Sequence, residues 1–269
     1  MSEKTETFVT ETSGIEAKLA PNEDSAIRRV VGVCGGKGGV GKSMITAMLA
    51  VLARRDGYNT GILDADVTGP AIPKILGIRG KTDYSEAGVF PKQSEERIHV
   101  MSTHLVTDQE EEPIAWRGRM LAEVAQQFWT DVSWGDLAYL FIDLPSGTSD
   151  VPLTVFQTIP LDGVVLVTTP QELAQYIGRK TYRMAEKMEI PILGIIENMS
   201  YVQVPGRTEP YRIFGESRIE ELAAELGSEV LGRIPLDPDL ARLCDRGRLE
   251  LMENHYLDQA YAKIIARLG

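Results

Sequence analysis

The sequence predicts an α/β fold, a mostly parallel twisted sheet with helices on both faces. Three observations point there. Tyr139–Ile142, Val164–Val167 and Ile192–Ile196 are continuous apolar runs of strand length, without the alternation of a half-solvated sheet. Helical patterns separate such runs, as parallel crossovers require. The strands close on polar residues: Asp64 and Asp66, Asp143, then Glu197 and Asn198. Parallel strands would carry all of these to one edge of the sheet, where ligands of such folds sit.

In chain order, residues 1–27 are polar and lack a lasting period, which predicts a mobile tail ahead of one domain over 28–269. Val30–Val33 reads as the first strand. Lys42–Arg55 follows as a helix, apolar at Met44, Ala47, Met48, Val51 and Leu52, and Gly57 stops it. Thr60–Leu63 is the second strand, and a loop with Pro70 and Pro73 carries a short helix to Leu76. Val89–Pro91 and Ile98–Met101 read as short strands, Asp108–Glu112 as an acidic loop and Arg117–Asp131 as a helix. After Tyr139–Ile142 the pattern gives strand Val164–Val167, helix Glu172–Met188 and strand Ile192–Ile196. Helix Ser217–Leu226, strand Val230–Ile234 and helices Pro238–Asp245 and Leu257–Leu268 complete the chain.

The chain has 269 residues, enough for one large α/β domain. Its formal net charge of −11 gives nucleic acid and anionic lipid no bulk attraction, so neither is an expected partner. Two cysteines, Cys34 and Cys244, are too few for a disulfide framework and suit a reducing compartment. No transmembrane-length stretch or signal-type apolar segment occurs, and a cytoplasmic location is expected.

The chemistry starts between the first strand and the first long helix. Gly36, Gly41, Lys42 and Ser43 fit G-x-x-x-x-G-K-[ST], with the strand before and the helix after that this motif needs. Gly36, Gly38, Gly39, Val40 and Gly41 let the backbone curl so that N–H groups, with those of Lys42, Ser43 and Met44, face one point. The helix N-terminus adds partial positive charge there. Lys42 would reach the β- and γ-phosphates of ATP, and Ser43 would place its hydroxyl on Mg²⁺. Asp143 would hold that ion by way of water. Asp66 would orient or deprotonate the attacking water, unless it caps the short helix after Gly69. Asp64 would hold Lys42 or the Mg²⁺ shell, or be structural. The Gly147 N–H is placed to approach the γ-phosphate. A second lysine, Lys37, lies inside the loop.

GGKGGVGKS, DADVTGPAIPKILG, DLPSGTSDVPLT, VTTPQELA and IIENMSY occur in this order between Arg29 and Arg248. Together they resemble the Mrp-type ATPases, the iron-sulfur cluster carriers of the deviant Walker A P-loop group that also holds MinD and ParA. The resemblance implies a slow ATPase that works as a dimer with ATP at the interface. Lys37 is then the signature lysine that crosses to the partner's phosphates, acting with Lys42 and Asp66. Asn198 is then the adenine-reading asparagine, and Pro235 to Asp237 flank the adenine. It also implies a client protein that receives a cluster.

One segment departs from that pattern. Mrp-type carriers bridge a cluster through C-P-x-C, but here the stretch from Tyr201 to Gly215 reads YVQVPGRTEPYRIFG. Val204 and Arg207 take the two cysteine positions, and iron-sulfur ligation needs thiolates. The sequence therefore predicts no iron-sulfur ligands of its own, and either a homodimer or a heterodimer with a cysteine-bearing homologue. His99, His104 and His255 are scattered, and Cys34 and Cys244 form no C-x-x-C, so no metal cluster is read from them. The alternative is a MinD/ParA-like positioning ATPase acting on a protein partner; the apolar stripe of Leu257 to Leu268 would then be a membrane helix, whereas the stripe is read as a terminal helix docked on the sheet. A loader for a different metal is a third reading.

Overall fold

The computed structural model describes residues 18–85, 88–107 and 119–269. Eight of the described strands form one sheet in the order β10-β9-β8-β1-β7-β2-β6-β5. The strands are β1 (Ser25–Gly35), β2 (Thr60–Asp64), β5 (Lys92–Gln93), β6 (His99–Met101), β7 (Gly135–Asp143), β8 (Gly163–Thr168), β9 (Ile192–Glu197) and β10 (Val230–Arg233). All pairings in this sheet are parallel except β5 with β6. The antiparallel hairpin β3 (Asp83–Ser85) and β4 (Gly88–Phe90) stands apart.

Successive side chains of a strand point to opposite faces, so each uninterrupted apolar run feeds two cores. On β1, Val31 and Val33 join one cluster, and Val30 and Cys34 join the other. The first face is covered by α1 (Lys42–Arg55), α2 (Ile72–Ile75), α7 (Pro238–Asp245) and α8 (Asp258–Leu268). On the second lie α3 (Arg119–Thr130), α4 (Asp150–Thr158), α5 (Glu172–Lys187) and α6 (Ile219–Glu225). Ala260, Tyr261, Ile264 and Leu268 of α8 are buried in the first cluster. The apolar stripe of that helix is core, which removes the surface helix that a membrane-positioning reading needs.

Several elements differ from the sequence expectation. The first strand begins at Ser25, inside the segment read as tail, because pairing of Ser25 with Gly135 and of Ile27 with Leu137 extends it alongside β7. Residues just before it are docked as well: Lys18 Nζ donates to the carbonyls of Phe156 and Ile159, and Trp129 Nε1 donates to that of Leu19. Residues 1–17 and the acidic run Asp108–Glu112 lie outside the described residues. Helix α4 was not expected, since Val151, Pro152, Thr154 and Val155 give it poor intrinsic propensity. Pro152 falls in its first turn, where a missing N–H is tolerated, and burial of Val155 and Phe156 supplies the stability. Strands β3 and β5, three and two residues long, were also missed.

The connection from β1 runs to β2 on one side, and that from β7 runs to β8 on the other. The crevice between diverging connections opens at the carboxyl ends of β1, β7 and β2. Phe141 lies fully buried beneath that edge and stacks on Tyr139 at 6.3 Å between centroids. Phe141→Ala should therefore cost about 3–5 kcal/mol of stability in a urea unfolding titration, and a loss below about 1 kcal/mol would contradict this packing.

Candidate nucleotide site

The loop from Gly35 to Ser43 is shaped by close approach as much as by glycine freedom. Gly39 and Gly41 sit at φ +81° and +88°, the left-handed region that favours glycine. A Cβ on Gly36 would stand 2.2 Å from the backbone nitrogen of Gly178 on α5. The loop thus lies directly on a helix backbone and cannot drift from it. Lys42, the first residue of α1, is 7% exposed, with its chain held in the loop rather than in solvent. Ser43 is half-buried next to it.

Two carboxylates form the floor. Asp64 ends β2 and Asp143 ends β7, opposite each other in register and fully buried. Asp143 Oδ1 accepts a hydrogen bond from the Thr46 hydroxyl at 3.2 Å, and the Ser43 hydroxyl lies beside its carboxylate. Burial pushes the Asp143 carboxyl up to about 6, against the opposing pull of Ser43 and Lys42. Its second oxygen, Oδ2, is buried and accepts no hydrogen bond in the structure. A buried carboxylate oxygen without a donor, beside a serine hydroxyl at a helix N-terminus, fits a hard divalent cation with oxygen ligands.

Asp64 has a different task from holding Lys42. Its Oδ2 accepts from the Ala71 and Ile72 N–H groups at 3.1 and 3.2 Å and from Ser102 Oγ at 3.1 Å. It is the remote cap of α2 and fixes where the loop after β2 returns to the sheet. Burial, then the charge of Asp143, raises its carboxyl well above the usual carboxylate range. Asp66 does not cap α2. Its side chain is half-buried and accepts only from Thr68 Oγ1, at 3.3 Å, among the described residues. Lys37 is half-buried and pairs with no described acid.

The other expected residues fall around the same crevice with some changes of role. Asn198 Nδ2 donates to the Val40 carbonyl at 2.9 Å, binding the end of β9 to the loop. The position a Gly41 Cβ would take lies 2.2 Å from that nitrogen, a second reason for glycine there. The Gly147 N–H donates to the Gly35 carbonyl at 2.9 Å, so it ties two loops together instead of facing the crevice. Pro235 is buried after β10. Asp237 caps α7 through the Asp239 N–H at 2.8 Å and accepts from Tyr256 Oη at 3.0 Å, so both its oxygens have partners. Thr46 and Ser102 were missed by sequence reasoning. The signal for Thr46 was its spacing of four from Lys42, which puts both on one helix face. Nothing local marks Ser102.

Val204 and Arg207 are the ends of a turn. The Arg207 N–H donates to the Val204 carbonyl at 3.1 Å, and Gly206 has φ +79° behind Pro205. Proline then glycine at the two central positions is the signature of a type II turn. Val202 and Tyr211 exchange backbone hydrogen bonds at 2.8 Å below it. Cys34 is buried on the other core, and burial pushes its thiol up to about 12. The Cys244 thiol is likewise raised, to about 11, by burial. Neither has the thiolate character of a ligand.

Comparison with known proteins agrees over nearly the whole length. The family model for the NUBPL iron-transfer P-loop NTPases of the ParA group matches residues 26–269. The chain belongs to that family. It is 40% identical over 255 residues to an iron-sulfur cluster carrier protein of Methanocaldococcus jannaschii, covering 94% of this chain and 88% of the relative. A carrier protein of Clostridium perfringens is 38% identical over 247 residues, covering 89% and 86%. A nucleotide-binding protein of Archaeoglobus fulgidus, solved with ADP, superposes with a TM-score of 0.76 at 41% identity, over 86% of this chain and 90% of the other. The septum site-determining protein MinD of Pyrococcus horikoshii, with Mg-ADP, has a TM-score of 0.63 at 21% identity, over 89% and 94%, and shares the fold.

Membership in this P-loop family supports nucleotide binding, and Gly36–Ser43 is the candidate loop for it. Its seating on α5 makes a sharp prediction. Gly36→Ala must move the loop or the helix, and should weaken binding of a fluorescent ATP analogue by about tenfold or more. Gly38→Ala, whose Cβ would meet only Ser146 Oγ at 3.7 Å, should leave it within about threefold.

Proposed function

We propose that the protein is an ATP-binding, slowly hydrolysing dimeric switch that serves iron-sulfur cluster assembly or transfer to client proteins without a bridging cluster of its own. The observation that carries the reading is Asp143. Its orphaned oxygen, on a carboxylate set beside Ser43 and buried Lys42, is the arrangement a Mg-nucleotide would complete. Ser43 would ligate the ion directly and Asp143 through water. Bound Mg²⁺ would neutralise charge on the β- and γ-phosphates.

In the reaction the water oxygen attacks the γ-phosphorus, the bond to the β,γ-bridging oxygen breaks, and ADP and phosphate result. The backbone N–H groups of Gly38 to Met44 and the Lys42 ammonium take up the charge on the phosphates. Asp66 orients the water and accepts its proton. The freedom of its carboxylate, with α2 capped by Asp64 instead, supports that role. Lys37 supplies positive charge across a dimer interface, which couples turnover to association. Its lack of an acidic partner among the described residues supports a partner elsewhere. Asn198 holds the loop through Nδ2, while its Oδ1 accepts no bond from a described residue and can meet the adenine amine. Pro235 to Asp237 frame the base. A cysteine-bearing homologue is the alternative second subunit. No helix among the described residues is long and apolar enough to cross a membrane, which agrees with action in the cytoplasm.

The absent cargo ligands shape the client role. Valine carries no donor and arginine is a cation, so the Val204–Arg207 turn offers iron no thiolate. Anaerobic reconstitution with iron and sulfide should leave the purified protein without stoichiometric cluster by absorbance and iron count. One cluster per dimer would overturn this part of the reading. For the switch, Lys42→Ala should lose ATP binding, whereas Lys37→Ala should bind ATP within about threefold and lose turnover by about 10³-fold or more. Full turnover in Lys37→Ala would refute charge supplied in trans.

A further inference from the structure

A cavity of about 600 Å³ lies between α2, the turn after it and the end of α7, outside the crevice described above. Its floor is a backbone contact between two left-handed glycines, Gly77 at φ +69° and Gly247 at φ +66°. A Cβ on Gly77 would stand 2.4 Å from the Gly247 carbonyl oxygen, so no side chain can fill the floor. Its rim carries Lys74, Arg79 and Arg246, with His104 beside them and Asp245 as the acid of the lining. The chain has 39 acidic and 28 basic residues, so a cation usually has an acid at hand. Yet Lys74, Arg79 and Arg246, from three different stretches, form no ion pair with any described residue, while Arg242 one turn earlier pairs with Asp239. The helix ends at the rim are also satisfied. Gly77 and Ile78 N–H groups take the carbonyls of Lys74 and Pro73, and Arg246 and Gly247 N–H groups take those of Arg242 and Cys244.

We propose that this cavity is a binding site for a small polyanion bearing clustered phosphoryl groups. Several cationic side chains lining one cavity can match several charged oxygens at once, and charge-assisted hydrogen bonds are the stronger kind. A closed floor and a volume in the range of small-molecule sites favour a compact ligand over an extended acidic peptide. The two elements that form the cavity both lead to the nucleotide crevice. Asp64 caps α2, and Asp237, beside Pro235, caps α7. Occupancy would therefore brace the two walls of the ATP site against each other. The inference does not depend on the hydrolysis reading.

Tripolyphosphate, titrated calorimetrically without magnesium, is the probe. The Lys42→Ala chain, deprived of its phosphate-loop lysine, should still bind tripolyphosphate at one site. Adding Arg79→Glu and Arg246→Glu to that chain should weaken this binding by about tenfold or more. The same pair in the otherwise natural chain should leave ATP affinity measurable and thermal melting intact, and Arg79→Gln with Arg246→Gln serves if charge reversal disturbs folding. Loss of all tripolyphosphate binding in Lys42→Ala would overturn the proposal. So would binding indifferent to the arginine changes, or binding of a poly-glutamate peptide where tripolyphosphate fails.

Discussion

Two carboxylates placed side by side without water govern the architecture around the nucleotide crevice. Asp64 and Asp143 face each other on adjacent strands, and each raises the cost of ionising the other. A pair like this persists only if each member finds donors. Asp64 finds them in two N–H groups and Ser102, and so fixes the path of the chain after β2. Asp143 finds one in Thr46 of α1, with Ser43 of the same helix beside it. Each acid keeps one buried oxygen without a donor, but only Asp64 caps a helix as well. The difference arises from what each strand's successor can donate, since the two stand at equivalent heights on the sheet.

The same division between frame and tip appears in the segment after β9. Glu197 is fully buried and accepts from Ser200 Oγ and Ser217 Oγ, each at 2.6 Å, with Arg233 Nε 3.8 Å away. One carboxylate thus pins both ends of the 201–216 excursion. Between the pins the chain rises to an exposed turn, with Tyr211 and Ile213 solvent-facing below it. A turn of Val-Pro-Gly-Arg can be exchanged at such a tip without stress on the base, because its only internal requirement is the Gly206 conformation. The segment can therefore carry no thiolate without disturbing its anchored base.

Much of the fold was legible because buried parallel strands cannot be mistaken for anything half-solvated. Tyr139–Ile142, Val164–Val167 and Ile192–Ile196 stand where their apolar runs place them, and α1 and α7 span the stretches their periodicity indicates. The elements that escaped were those whose stability is tertiary. Helix α4 opposes its own propensity and holds by burying Phe156, and β3 and β5 are too short to show a period. In the crevice, the loop, Lys42, Ser43 and Asp143 were readable from motif and strand ends. Ser102 was not, because its only role is a contact 38 residues away.

The sequence by itself determined the sheet, the phosphate loop at its edge and the absence of cargo thiolates, because each is written in contiguous residues with a local physical meaning. Tertiary structure decided which of two neighbouring aspartates caps α2, that the Gly147 N–H closes on Gly35, and that α8 packs on the sheet. It also brought Lys74, Arg79 and Arg246 around one cavity. Those outcomes depend on distance across the fold, and distance is the one quantity that hydrophobic period and residue spacing do not carry.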